Sequence, residues 1–275
     1  MNKLDMHIHT TASDGKLTPI EVVELAIKKN LKGIAITDHD TVNGIIEATE
    51  YNQNDIIIIP GIEFSCIKNN NEIHLLGYFI DYKNDNIINI TNKIITHRKN
   101  RADKIIKKLN NIGVNIKVED VLNESKGKSI GRPHIARVLI NKNYVNSINE
   151  AFEKYLAKGR PAYVKRYKLS LQEGIDLIHN ANGIAVIAHP GLLDNSINLK
   201  TLIHSYNIDG IEVYHSKHSE NQEKQFYKIA INDNLIITGG SDYHGDRKEI
   251  AFDLGDKYID VENIKELLFK YNYII

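Results

Sequence analysis

Two histidines stand two residues apart in the run Asp5-Met6-His7-Ile8-His9. In a strand, alternate side chains share a face, which would set Asp5, His7 and His9 together and leave Leu4, Met6 and Ile8 opposite. Two imidazoles so placed can grip one metal ion, and Asp5 could hydrogen-bond a ring N–H and fix its tautomer. The arrangement recurs along the chain. Thr37-Asp38-His39-Asp40 follows the apolar run 33–37, and Glu63 follows the run 56–59 and Pro60-Gly61. His189 follows 184–188 and precedes Pro190, while Ser241-Asp242-Tyr243-His244 follows 235–238 and a Gly-Gly bend. Each polar group ends a predicted strand, and parallel barrels gather their chemistry at those ends. Asp14, in the loop after the first pair, and His74, opening the run 74–78, complete nine candidate ligands: His7, His9, Asp14, His39, Glu63, His74, His189, Asp242 and His244. Nine are too many for one tetrahedral zinc and enough for two or three divalent ions. Glu63 is the candidate bridging carboxylate, and Glu63, Asp14 and His39 are read as catalytic. Asp38 and Asp40 are expected to support the ligands rather than bind metal.

The elements that must position these residues alternate. Strands are expected at 3–7, 33–37, 56–59 and 73–80, with helices at 19–29 and 44–51. Thr18 reads as an N-cap and Pro19 as the first helical residue. The rhythm resumes with helices at 171–180, 199–206, 219–232 and 261–271 and strands at 184–188, 210–213 and 235–238. Repeated βα units predict a parallel sheet, open or closed as a barrel. From about 84 to 156 no strand is apparent. Residues 99–164 are therefore expected to form a small helical insert in an α/β domain built from 1–98 and 165–275.

The chain has 275 residues, 42% of them hydrophobic, a length suited to one domain carrying an insert. The 35 Lys and Arg balance the 35 Asp and Glu, which leaves no global basic field for long nucleic acid but allows a local patch. The single cysteine, Cys66, excludes a disulfide framework and a cysteine-based zinc site. The first residues lack an apolar signal core, and no run approaches a membrane span, so a cytoplasmic protein without membrane association is expected. No obligate protein partner is implied.

His7-x-His9, Thr37-Asp38-His39, Gly61-x-Glu63, His189-Pro190 and Ser241-Asp242-x-His244, in this order, resemble the PHP (polymerase and histidinol phosphatase) family over nearly the whole chain. The resemblance implies a distorted (β/α)7 barrel with a trinuclear metal site on one face. By it, His7, His9, Glu63 and Asp242 would hold one ion, Glu63, His74 and His189 a second, and Asp14, His39 and His244 a third. Gly131-Arg132-Pro133-His134-Ile135-Ala136, Glu212-Val213-Tyr214 and His218-Ser219 resemble the small members that act on nucleoside 3′,5′-bisphosphates and on RNA 5′ ends. A histidinol-phosphate-like monoesterase and a non-catalytic metal-binding module are the alternatives.

Arg132, before a proline that opens a helix, would make a phosphate site from a guanidinium and a helix N-terminus. Lys158 and Arg160 form a second basic turn. His134 and His218 could contact phosphate, protonate a leaving group or only line the site, and Tyr163, Tyr167 and Tyr214 could stack on a base. The expected reaction is in-line hydrolysis of a phosphate ester of a nucleotide or short RNA. Metal-activated water would attack while the metals and Arg132 neutralise phosphoryl charge. Mn²⁺ is the foremost cofactor, with Fe²⁺, Zn²⁺ and Mg²⁺ open.

Overall fold

A computed structural model describes residues 2–52, 55–125, 130–245 and 252–273. The chain divides into two compact units, Met1–Asn89 with Lys168–Ile275, and Ile90–Tyr167.

The first unit is a mixed α/β barrel whose sheet is nearly closed. Its strands are β1 (Lys3–Ile8), β2 (Gly33–Ile36), β3 (Ile57–Lys68), β4 (Asn71–Tyr78), β5 (Leu169–Ser170), β6 (Ile184–Ile187), β7 (Gly210–His215), β8 (Ile236–Gly240) and β9 (Ile259–Asp260). Their order is β8-β7-β6-β4-β3-β2-β1-β9, with β5 beside β3. The outer layer comprises α1 (Pro19–Lys28), α2 (Asn43–Tyr51), the start of α3 (Asp85–Asn111) and four later helices. Helix α1 starts where a capping box forms: the Thr18 hydroxyl accepts from the Glu21 N–H, and Glu21 accepts from the Thr18 N–H at 2.7 Å.

Besides the two-residue β9, antiparallel to β1, the sheet departs from the all-parallel expectation at β4, which runs antiparallel to both β3 and β6. The cause is local. Asn69 and Asn70 link Lys68 to Asn71 with φ of 49° and 67°, and two left-handed residues make a two-residue hairpin, which reverses the chain. β3 is also far longer than the predicted strand. It runs through Pro60 and Gly61, so Glu63 lies inside a 12-residue strand rather than beyond its end. Closure comes after β8. The His9 N–H donates to the Tyr243 carbonyl at 2.9 Å, and Ile8 and Tyr243 form a parallel bridge. Gly240 permits this approach, since a Cβ there would collide with the His7 backbone nitrogen and Cβ.

Leu4, Met6, Ile59, Leu76, Tyr78 and Val186 form one buried cluster, into which Val261, Ile264 and Leu268 pack from the last segment. Helices α7 (Leu171–Asn180), α8 (Leu199–Ser205), α9 (Glu220–Asn232) and α10 (Lys265–Lys270) follow or flank these later strands.

The second unit contains most of α3, then α4 (Val118–Glu124), α5 (Arg132–Asn141), α6 (Ile148–Ala151) and a π turn at Phe152–Leu156. It has its own core of Ile105, Leu109, Val121, Ile135, Leu139 and Leu156. Among the described residues no helix is long and apolar enough to cross a membrane.

Candidate metal centre

Glu63 is 1% exposed, and its two oxygens face different histidines. Oε1 is 2.8 Å from His74 Nδ1 and 3.2 Å from His189 Nε2. Oε2 is 2.8 Å from His39 Nδ1, 3.3 Å from His9 Nε2 and 3.4 Å from His7 Nε2. Asp242 Oδ1 lies 3.2 Å from His9 Nε2 and 3.5 Å from His7 Nε2, while Asp14 Oδ1 lies 3.4 Å from His244 Nε2. All nine candidate ligands thus gather in the first unit. Eight of the nine place ligand atoms in groups able to hold a metal ion: His7–His9–Glu63, His39–Glu63–His74, His9–Asp14–His39–His244, and His7–Asp242 together with His215. His189 joins them through Glu63.

The donor set fits divalent cations on physical grounds. His7 Nε2, both nitrogens of His9, Asp14 Oδ1, His39 Nδ1, Glu63 Oε2 and His189 Nδ1 are buried and have no hydrogen-bond partner. Buried polar atoms are normally satisfied, so a concentration of unsatisfied ones marks the place of a ligand.

The electrostatics are those of opposed charges held close without solvent. Burial works against the Glu63 carboxylate, yet His39, His74 and His7 outweigh it and hold its pKa well below the usual range. Burial works against the His74 cation, but Glu63 and Glu72 raise its pKa to about 10. Asp14 and Asp242 likewise overcome burial at His244 and raise it to about 9. Burial and the neighbouring His244 and His39 depress His9 to about 3.

The supporting groups differ from the expectation in one respect. Asp5 does not orient a histidine ring. Its carboxylate accepts from the Ser241 hydroxyl at 2.6 Å, from the Ser241 and Gly255 N–H groups, and from the His7 backbone N–H. It therefore clamps the segment that carries Asp242. Asp38 clamps the Asp14 loop in the same manner, accepting from the Thr10 N–H, the Thr10 hydroxyl and the Ser13 hydroxyl at 2.6–2.7 Å. Asp40 accepts from the Ser65 N–H on β3.

Ring orientation falls to Glu212, which is fully buried. One oxygen is 3.0 Å from His7 Nδ1, so His7 donates there and turns Nε2 inward. The other accepts the His189 backbone N–H at 2.7 Å. His189 needs that hold, because its φ of 28° and ψ of 61° place a non-glycine residue in strained backbone.

His215 also reaches the centre. Its Nδ1 accepts from the Lys217 N–H at 3.1 Å, which leaves the proton on Nε2, 3.4 Å from Asp242 Oδ2. Glu212 and His215 were missed as site residues because a spacing of three puts them on opposite faces of a regular strand. The register shift between Glu212 and Tyr214 turns both inward. The signal available was their place at the end of another apolar strand.

The expected substrate residues are placed as follows. His218, 7% exposed, donates from Nδ1 to the Val213 carbonyl and accepts the Gly191 N–H at Nε2, so both ring nitrogens are engaged by backbone. It ties the loop after His189 to β7. In the second unit, Arg132 donates to the Leu156 carbonyl at 3.2 Å and lies 5.0 Å from the Phe152 ring centre. His134 is buried and accepts the Gly131 N–H at Nδ1. Lys158 and Arg160 are exposed.

Comparison with known proteins agrees with this geometry. The chain is 34% identical over 247 residues to the 5′–3′ exoribonuclease Rnm of Escherichia coli, covering 87% of this chain and 84% of that one. It is 32% identical over 253 residues to the 3′,5′-nucleoside bisphosphate phosphatase of Chromobacterium violaceum, covering 89% and 88%. A crystal structure from Bifidobacterium adolescentis, provisionally named a metal-dependent phosphoesterase, superposes with a TM-score of 0.86 at 30% identity over 99% of this chain and 96% of that one. Residues 5–181 match the family model described as the PHP domain, and the chain belongs to that family.

Proposed function

We propose that the chain is a metal-dependent phosphoesterase that hydrolyses phosphate esters of nucleotides, either nucleoside 3′,5′-bisphosphates or the 5′ ends of short RNAs. The observation that supports this best is Glu63, a buried carboxylate with one oxygen toward His74 and His189 and the other toward His7, His9 and His39. Such a group can bridge two cations. His7, His9, Glu63 and Asp242 would hold one ion, Glu63, His74 and His189 a second, and Asp14, His39 and His244 a third. The relatives' names support the substrate class.

When bound, divalent ions acidify water and neutralise phosphoryl charge. The chain's own residues fix where that happens. Glu212 sets the His7 tautomer and the His189 backbone, while Asp5 and Asp38 pin the two segments that present Asp242 and Asp14. The ligand rings are thereby held ready, so little reorganisation is needed as charge develops. Arg132, Lys158 and Arg160 remain the proposed phosphate contacts, and Arg132 is held at a helix start by Phe152 and Leu156.

The test is turnover by Mn²⁺-loaded protein of 3′-phosphoadenosine 5′-phosphate, a 5′-phosphorylated oligoribonucleotide and histidinol phosphate. Release of phosphate or mononucleotide from the first two, abolished by chelation, is expected. Turnover of histidinol phosphate alone would transfer the reading to small monoesters.

A further inference from the structure

The neutral total charge conceals a division. Residues 90–167 contain eighteen Lys and Arg against six Asp and Glu, a formal excess of +12. The rest of the chain contains seventeen against twenty-nine, a formal −12. Six of the seven arginines fall in the second unit. A general taste for lysine in the sequence cannot produce this, because it would enrich both units alike.

The positive charge is organised. Lys93, His97, Arg101, Lys104 and Lys108 recur on α3 at steps of four, four, three and four, which places them on one helical face. The segment 163–167 runs antiparallel along that face. Lys108 Nζ donates to the Tyr163 carbonyl and Arg101 Nε to the Val164 carbonyl, both at 2.8 Å. The His97 and Tyr167 rings stack at 4.7 Å and 12°, with Lys93 Nζ 5.1 Å from the Tyr167 centre. The segment adds Lys165 and Arg166, which lie in sequence between Tyr163 and Tyr167. Burial, then Arg132, Arg166 and Arg98, bring the Arg101 pKa down to about 10, so four guanidinium groups crowd together. The unit's carboxylates lie elsewhere. Only Asp103 is on α3, and Asp120, Glu124 and Glu150 are paired with Lys142, Arg137 and Lys154 on and beside the other helices.

Resting on the phosphoesterase reading above, we propose that this face of the second unit is a track for the backbone of single-stranded RNA. From Lys93 to Lys108 the stripe spans about 22 Å, at 1.5 Å per residue. A mononucleotide bisphosphate cannot reach along that length, and several consecutive nucleotides can. Clustered like charge disfavours the folded unit until a polyanion covers it. Rings beside cations suit unpaired bases and phosphates without regard to sequence.

The track predicts length-dependent and salt-dependent binding. The probes are 5′-phosphorylated oligouridylates of two, five and ten nucleotides, with hydrolysis-resistant phosphorothioate backbones and a 3′ fluorophore. Anisotropy titrations use the full Mn²⁺-loaded chain across a range of NaCl. Affinity should rise at least tenfold from two to ten nucleotides, and for the ten-mer the slope of log K against log salt should be about −3, near −0.7 per phosphate held. The variant Lys93→Gln/Lys104→Gln/Lys165→Gln should flatten that slope by about 2, with melting curves confirming the fold. Affinity independent of length, or an unchanged slope in the triple variant, overturns the track. Equal affinity for a duplex of the same length overturns the single-strand assignment. Hydrolysis of 3′-phosphoadenosine 5′-phosphate is scored separately: if it occurs without length dependence, the track alone fails, and if both are absent, both readings fail.

Discussion

His215 Nε2 stands 3.4 Å from Asp242 Oδ2, buried and without a hydrogen-bond partner, and the Lys217 N–H on its other nitrogen leaves the ring proton on Nε2. An imidazole that accepts at Nδ1 carries its proton on Nε2 and has no lone pair there for a metal. His215 therefore positions Asp242 and leaves Oδ1 to face His7 and His9. His215→Gln keeps an N–H near the same place and should retain metal. His215→Leu should weaken metal binding about 10–100-fold, the usual cost of losing a group that orients a ligand. Chelator competition measures this directly. Equal loss in both variants would show that His215 is itself a ligand.

The bridging role of Glu63 is tested by Glu63→Gln. The change is nearly isosteric, so circular dichroism should match that of the parent. Bound metal per chain, measured by mass spectrometry, should fall by more than one ion, and kcat should drop steeply. Full metal content with normal turnover would refute the bridge.

Metal binding should release protons. In the metal-free protein His74 and His244 have pKa values of about 10 and 9, so both are protonated at pH 7.5. A ligand nitrogen must lose its proton to bind a cation. Calorimetric titration with Mn²⁺ in buffers of different ionisation heat should show at least two protons released per chain at pH 7.5, and fewer near pH 10. The raised values also stabilise the metal-free fold, fully below the ordinary histidine pKa of 6.5, and that contribution should fall progressively as the pH rises from there through 9 to 10. Loading without proton release would contradict this electrostatic picture.

Gly240 is predicted to tolerate no side chain. A Cβ there meets backbone rather than a movable side-chain tip, so Gly240→Ala must push β8 away from β1. The cost should be about 1–3 kcal/mol in urea unfolding, as for other overpacked sites, with weakened metal binding. Wild-type stability would mean that the barrel closes less tightly than described.

Much of this architecture is legible locally. A polar residue that follows an apolar run is a short-range signal, and it marked His39, His189 and Asp242. Thr18 and Pro19 announced the start of α1 in two residues. The missed features depend on distant partners or irregular backbone. Asp5 meets Ser241 across 236 positions, so its role as a clamp has no local trace. Glu212 and His215 required a strand irregularity that breaks the alternation used to assign faces. The antiparallel β4 depended on Asn69 and Asn70, whose turn signal was present but went unused. The charge division was hidden by summing over the whole chain.

The β3–β4 hairpin acts as a ruler. Ser65 pairs with His74, and Glu63 with Leu76, on a ladder counted from the turn at Asn69-Asn70. One residue inserted at that tip would rotate His74 to the opposite face, because side chains alternate with a period of two. Two inserted residues would restore the face but slide His74 about 7 Å along Glu63's strand. The first change would also turn the buried Ile73 and Leu75 over, whereas the second leaves the alternation of apolar residues along β4 intact and displaces only the ligand. Descendants of this chain can thus lengthen most surface loops freely, while the hairpin tip is barred from insertion by ligand geometry even where folding would allow it.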